Sequence, residues 1–132
     1  MRIGPAEITS VVLEFPEIRE AMAVAQSAPD GSGGSRVVLL VVLAAGTTLD
    51  RALVLRLKRA VRDRASADHV PAVIADVPGL PVTVNGKLSE RAARDAIAGR
   101  AVANAAALRN PEILRLLASH PAVTEEGGTW HA

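Results

Sequence analysis

The sequence predicts a small α+β domain: a three-stranded mixed sheet flanked by helices. Three observations carry this. Residues 37–43 form an unbroken Val/Leu run without alternation, the mark of a strand buried on both faces. The stretch Pro29-Asp30-Gly31-Ser32-Gly33-Gly34 separates that run from a shorter apolar segment at 21–26, which reads as an antiparallel hairpin. A long amphipathic segment then leads to a third apolar run at 72–77. A strand, a helix and a strand in that order make a right-handed crossover with parallel strands.

The elements follow in order. Pro5 suits the first turn of a helix, where its missing N–H is not needed, and Ile8, Val11 and Val12 continue the helical spacing as far as Phe15-Pro16. Residues 17–20 read as a turn before the first strand. Thr47 or Thr48 caps the long helix, with Asp50 in its first turn. Leu49, Leu53, Leu57, Ala60 and Val61 line its apolar face out to Ala65, and six Arg and Lys residues cover the rest. This basic face is expected to be solvated, with a ligand phosphate or a partner surface as the alternative. Residues 80–86 read as irregular, 89–98 as a third helix, 99–110 as an ambiguous Ala-rich connector, and Pro111 opens a fourth helix to Ser119. The expected organisation is one domain over 1–119 and a flexible tail over 120–132.

Composition narrows the chemistry. The chain has 132 residues, 49% of them hydrophobic and 22% charged, enough to bury a core. A net charge of +1 argues against phosphate-backbone binding, and two aromatic residues, Phe15 and Trp130, argue against base stacking, so no nucleic-acid partner is expected. With no cysteine and with His69, His120 and His131 far apart, no metal site is expected. The longest apolar run, 37–45, is far short of a membrane span, and the opening residues lack the apolar stretch of a signal peptide. The expectation is a cytoplasmic protein with no membrane partner. Alanine takes 25 positions, which calls for close helix packing, and Arg outnumbers Lys 13 to 2.

One of those two lysines lies in the most informative stretch, Leu80-Pro81-Val82-Thr83-Val84-Asn85-Gly86-Lys87. Proline and glycine bracket a loop that delivers Lys87 just before a helix. A lysine there is a point charge on a long flexible stem, suited to an anionic group arriving from outside the domain. The plain alternative is a surface lysine near a helix start.

Pro81-x-Thr83-x-x-Gly86-Lys87, with Arg91 beyond it, resembles the C-terminal signature of the adenylate-forming enzymes, the superfamily of acyl-CoA synthetases and peptide-synthetase adenylation domains. Arg2-Ile3-Gly4-Pro5-Ala6-Glu7-Ile8 resembles the other C-terminal signature of that superfamily, about eighty residues earlier. Pro5 and Asn85 depart from its usual Thr/Ser and Ser. His69-Val70-Pro71, Gly99-Arg100-x-Val102-x-Asn104 and Leu108-x-Asn110-Pro111-Glu112 resemble the acetoacetyl-CoA synthetase branch.

The resemblance implies the mobile C-terminal lid of an ATP-dependent acid–CoA ligase, which forms an acyl-adenylate and then a thioester. It implies Lys87 as the catalytic lysine of adenylation, bridging acid carboxylate and α-phosphate. It implies Arg2 as a nucleotide-phosphate contact, with Gly4, Glu7, Thr83 and Gly86 as supporting motif residues. Glu7 is equally readable as a surface acid in a first helical turn. ATP with Mg2+, coenzyme A and acetoacetate or a similar small acid are the implied substrates. They would be bound mainly by an N-terminal adenylation domain, in cis or in trans, whose phosphate loop and acyl pocket this sequence lacks. The isolated chain is therefore expected to bind no cofactor and to be inactive. The alternative is a stand-alone, non-catalytic binding module that kept the fold.

Overall fold

The structure, a computed structural model, describes residues 5–27 and 34–124. It is a three-layer α/β/α arrangement around a three-stranded sheet in the order β1-β2-β3, with β1 Ile18–Ser27, β2 Ser35–Leu43 and β3 Val73–Asp76. β1 pairs antiparallel with β2, from Ile18 opposite Leu43 to Ser27 opposite Ser35, and β2 pairs parallel with β3, Val38 opposite Val73. The mixed sheet and its crossover are as the hydrophobic pattern predicts.

β2 lies in the middle, and the strand period of two sends its side chains to both layers. Val38, Leu40 and Val42 join Met22 and Val24 beneath α3 (Glu90–Ile97), α4 (Ile113–Ala118) and α5 (Pro121–Thr124). Leu39 and Val41 join Ala21 and Ala23 beneath α1 (Pro5–Val12) and α2 (Arg51–Arg64). The contact face of α3 is Ala92, Ala93, Ala96 and Ile97, so the small residues do permit close packing. The helix closes on Gly99, at φ 73°: the Gly99 N–H reaches the Ala96 carbonyl and the Arg100 N–H reaches that of Asp95, a Schellman closure.

Four boundaries differ from expectation. β1 starts at Ile18 rather than residue 21, because a register shift between Ile18 and Glu20 lets a charged segment enter the sheet edge. Asp50, not Thr47 or Thr48, caps α2, its Oδ1 accepting the Leu53 N–H at 2.8 Å. α1 stops at Val12 and tightens into i→i+3 turns before Phe15. The packed body runs past residue 119: His120 bonds to the Asp76 carbonyl, and Val123 in α5 is 3% exposed. Residues 125–132 of the expected tail lie outside the described residues.

Two buried polar residues fasten that last helix. Gln26 and Arg36 face each other across the β1–β2 pair, and Arg36 Nε donates to Gln26 Oε1 at 2.8 Å. Gln26 Nε2 donates to the carbonyls of Ile97 and Val123, at 3.1 and 2.9 Å. Burial of both groups is tolerated because each finds hydrogen-bond partners.

Candidate functional site

Lys87 stands beside the turn of a hairpin, not on an irregular loop. Leu80 and Pro81 are buried and root the segment in the core. Val82 then pairs antiparallel with Leu88, while the Thr83 N–H donates to the Lys87 carbonyl at 2.8 Å and the Ser89 N–H to that of Pro81. The chain reverses through Val84-Asn85-Gly86, closed by the Gly86 N–H on the Thr83 carbonyl at 2.9 Å. Gly86 has φ 86°, the left-handed residue that a three-residue hairpin loop requires. That, and not close approach of a neighbour, is its reason: a Cβ there would meet only Arg109, at 3.6 Å. The Thr83 hydroxyl accepts the Lys87 N–H at 3.2 Å. Thr83 and Gly86 thus shape the turn that presents Lys87. The backbone is held and the side chain is exposed, without an ion-pair partner among the described residues.

A second segment clasps the hairpin. Thr83 bridges Leu108, the Val84 N–H donates to the Ala107 carbonyl, and the Arg109 N–H donates to that of Val82 at 2.7 Å. The Asn110 side chain accepts from the Val82 N–H at 2.9 Å and donates to the Leu80 carbonyl at 2.8 Å. Asn104 Nδ2 reaches Ser89 Oγ, which also caps α3 through the Ala92 N–H. The Ala-rich connector is therefore a pairing partner for the lysine-bearing hairpin.

The first motif is placed in part. Arg2 and Gly4 lie outside the described residues. Glu7, in the first turn of α1, meets buried His69 from the 3-10 turn Ala67–His69: Glu7 Oε2 is 2.6 Å from His69 Nε2, and Ser66 Oγ is 2.6 Å from Nδ1. His69 is a tie between elements, with its ring nitrogens both engaged, and Glu7 is more than a surface acid. An open groove of about 260 Å³ runs along β1 between α1 and the start of α3, lined by Ala6 and Thr9, Ala21–Ala23, Leu88 and Glu90.

The basic face of α2 is partly paired. Arg64 meets Glu14 at 2.6 Å and Arg56 meets Glu17 at 2.8 Å, while the Arg56 guanidinium lies 5.4 Å from the Phe15 ring centroid. The hydrogen bond from Arg64 holds Glu14 below the usual carboxylate range, and the bond from Arg56 does the same for Glu17. Among the described residues no group of three or more His, Asp and Glu could hold a metal ion, and no helix is long and apolar enough to cross a membrane.

A small mixed sheet that presents one lysine on a pinned hairpin defines a class, and comparison agrees: the chain belongs to the AMP-binding enzyme C-terminal domain family, which matches residues 7–87. It is similar to the acetoacetyl-coenzyme A synthetase of Rhizobium meliloti (strain 1021), 45% identical over 118 residues, 89% of this chain and 18% of that protein. It superposes on the acetoacetyl-CoA synthetase from Streptomyces lividans with a TM-score of 0.74 at 33% identity, covering 89% of this chain and 18% of the other. An acyl-CoA synthetase from Brucella canis, also 33% identical, matches with a TM-score of 0.59 over 67% of this chain and 16% of its own. This chain thus spans about a fifth of the length of the proteins it matches.

Proposed function

We propose that this chain is the C-terminal lid of an ATP-dependent ligase that joins acetoacetate, or a similar small acid, to coenzyme A through an acyl-adenylate. The observation that carries the reading is Lys87: an exposed ammonium on a hairpin whose backbone is bonded along both edges. Carboxylate attack on the α-phosphate of ATP gathers negative charge on the transferring group, and catalysis there is positioning plus charge stabilisation. A single ammonium at about 4 Å contributes roughly 4 kcal/mol of Coulomb energy at an effective dielectric of about 20. Arg2, in the first motif, would contact nucleotide phosphate. Mg2+ would enter with ATP, on the adenylation domain.

In the second half-reaction the lid would rotate, withdraw Lys87 and present another face to coenzyme A. The adenylation domain would supply the ATP and acyl sites, so the lid alone has no substrate to hold in place. Supplying the chain, fused or in trans, to an adenylation domain stripped of its own lid tests this. Acid-dependent AMP release and thioester formation are expected with both parts, and none with the chain alone. Failure of both arrangements to restore AMP release, with the two parts folded, would favour a non-catalytic binding module.

A further inference from the structure

We propose that Asn110 is a positioning residue for Lys87: its side-chain amide stands in for a strand and locks the hairpin in register. The inference rests on the reading of Lys87 above and names a residue that acts through it.

A two-stranded hairpin is marginal in water, and three strands or packing on a helix are needed for independent stability. The segment from Leu80 to Val84 meets that need from two sides. Along one edge it bonds to its own return strand, through Thr83 to Lys87 and Gly86. Along the other edge stands the segment 107–110. The Val84 N–H is taken by the Ala107 carbonyl, the Val82 carbonyl by the Arg109 N–H, and the Val84 carbonyl by the Arg109 guanidinium at 3.2 Å. Two groups then remain at the root, the Leu80 carbonyl and the Val82 N–H, two residues apart on one edge as a neighbouring peptide would meet them. A backbone donor to the Leu80 carbonyl is ruled out here, because the residue in register is Pro111, which has no N–H. Asn110 supplies the missing pair from its side chain, accepting from Val82 at 2.9 Å and donating to Leu80 at 2.8 Å.

Only a carboxamide has donor and acceptor in that disposition. Aspartate would keep the bond to Val82 and set a carboxylate oxygen against the Leu80 carbonyl. Residues 107–110 lie beyond the stretch that the family model matches. The consequence of the clasp falls on Lys87, since a hairpin loosened at its root swings the residue beside its turn. A misplacement of about 1 Å can cost on the order of 10²-fold in a reaction that depends on near-attack geometry.

The test uses the chain joined to its adenylation domain, with Asn110→Ala, Asn110→Asp and Lys87→Ala compared in separate half-reactions. Amide hydrogen exchange is followed in the same proteins. Both Asn110 variants should slow adenylation about 10- to 100-fold and leave thioester formation from preformed acyl-adenylate within about twofold. The Val82 and Val84 amides should exchange at least about tenfold faster, while Leu40 and Val41 in β2 stay protected. If Lys87→Ala is selective for adenylation and both Asn110 variants are inert, the positioning role is wrong and the reading of Lys87 survives. If Lys87→Ala itself spares adenylation, the underlying reading falls. Equal losses in the two half-reactions, or unchanged exchange at Val82, would overturn the proposal in favour of a general structural role or none.

Discussion

Glu7 and His69 meet at 2.6 Å across 62 positions of sequence, and the contact ties the first turn of α1 to the turn that leads into β3. His69 is 6% exposed and engaged at both ring nitrogens, Nδ1 by Ser66 Oγ and Nε2 by Glu7 Oε2. His69→Ala should therefore destabilise the domain by about 2–4 kcal/mol, from the emptied volume and the lost bonds. Glu7→Gln keeps an acceptor for Nε2–H and should cost less than about 1 kcal/mol. Urea melts of the two variants check this. Equal, small effects would mean that the tie holds nothing.

The buried pair Gln26 and Arg36 makes a sharper stability prediction. Gln26→Ala strips a donor from the Ile97 and Val123 carbonyls and an acceptor from Arg36 Nε. Orphaned buried groups cost about 1–3 kcal/mol each, so a total near 3–5 kcal/mol is expected. The protection of Val123 should be lost first, seen as faster amide exchange in α5 than in β2. A loss below about 1 kcal/mol would contradict the bonding described here.

Much of the sheet and of α2 was legible in the sequence, because both obey simple periods: β2 reads as a run buried on two faces and α2 as a stripe of Leu and Val. The third helix, expected over 89–98, is observed as Glu90–Ile97. The start of β1 was not legible, since a bulge admits Arg19 and Glu20 to a strand that composition alone would begin at Ala21. The hairpin of Lys87 hid for another reason. Its second partner lies some twenty residues on, in Ala107-Leu108-Arg109-Asn110, where neither alternation nor bulk marks a strand. The motif residues Thr83 and Gly86 were visible, and geometry supplies their reason. Gln26 and Arg36 left only a faint signal, two polar residues among apolar strand neighbours. The tie of Glu7 to His69 left none, being a contact of residues far apart in the chain.

Gly86→Ala should strain the turn without a clash. At φ 86° an L-residue pays about 1–2 kcal/mol, and Arg109 at 3.6 Å leaves room for the methyl group. The cost should appear as faster amide exchange from Thr83 to Lys87 and as little change in the melting of the sheet, because the turn is exposed. Full protection of these amides would show that the turn tolerates a side chain.

The ion pairs of α2 set a pH dependence. Arg64 holds Glu14, and Arg56 holds Glu17, below the ordinary carboxylate value of 4.5. A carboxylate with a lowered folded pKa stabilises the fold above its unfolded pKa, and that contribution is lost as pH falls through the folded value. Replacing both by Gln should flatten the decline of stability below pH 4.5 and change little near neutrality. The difference from the parent should shrink in high salt, since both pairs are largely exposed. Identical acid limbs in low salt would contradict the assignment.

Lys87→Ala in the chain joined to its adenylation domain, with the two half-reactions timed separately, tests the central claim most directly. Adenylation should fall by about 10²–10³-fold, the 2–4 kcal/mol typical of one lost charge-stabilising contact. Under the proposed rotation, thioester formation from preformed acyl-adenylate should hold, because the lid would then no longer need the ammonium. Stability should move by less than about 0.5 kcal/mol, as expected for an exposed side chain. Equal losses in both half-reactions, or adenylation at the parental rate, would contradict it.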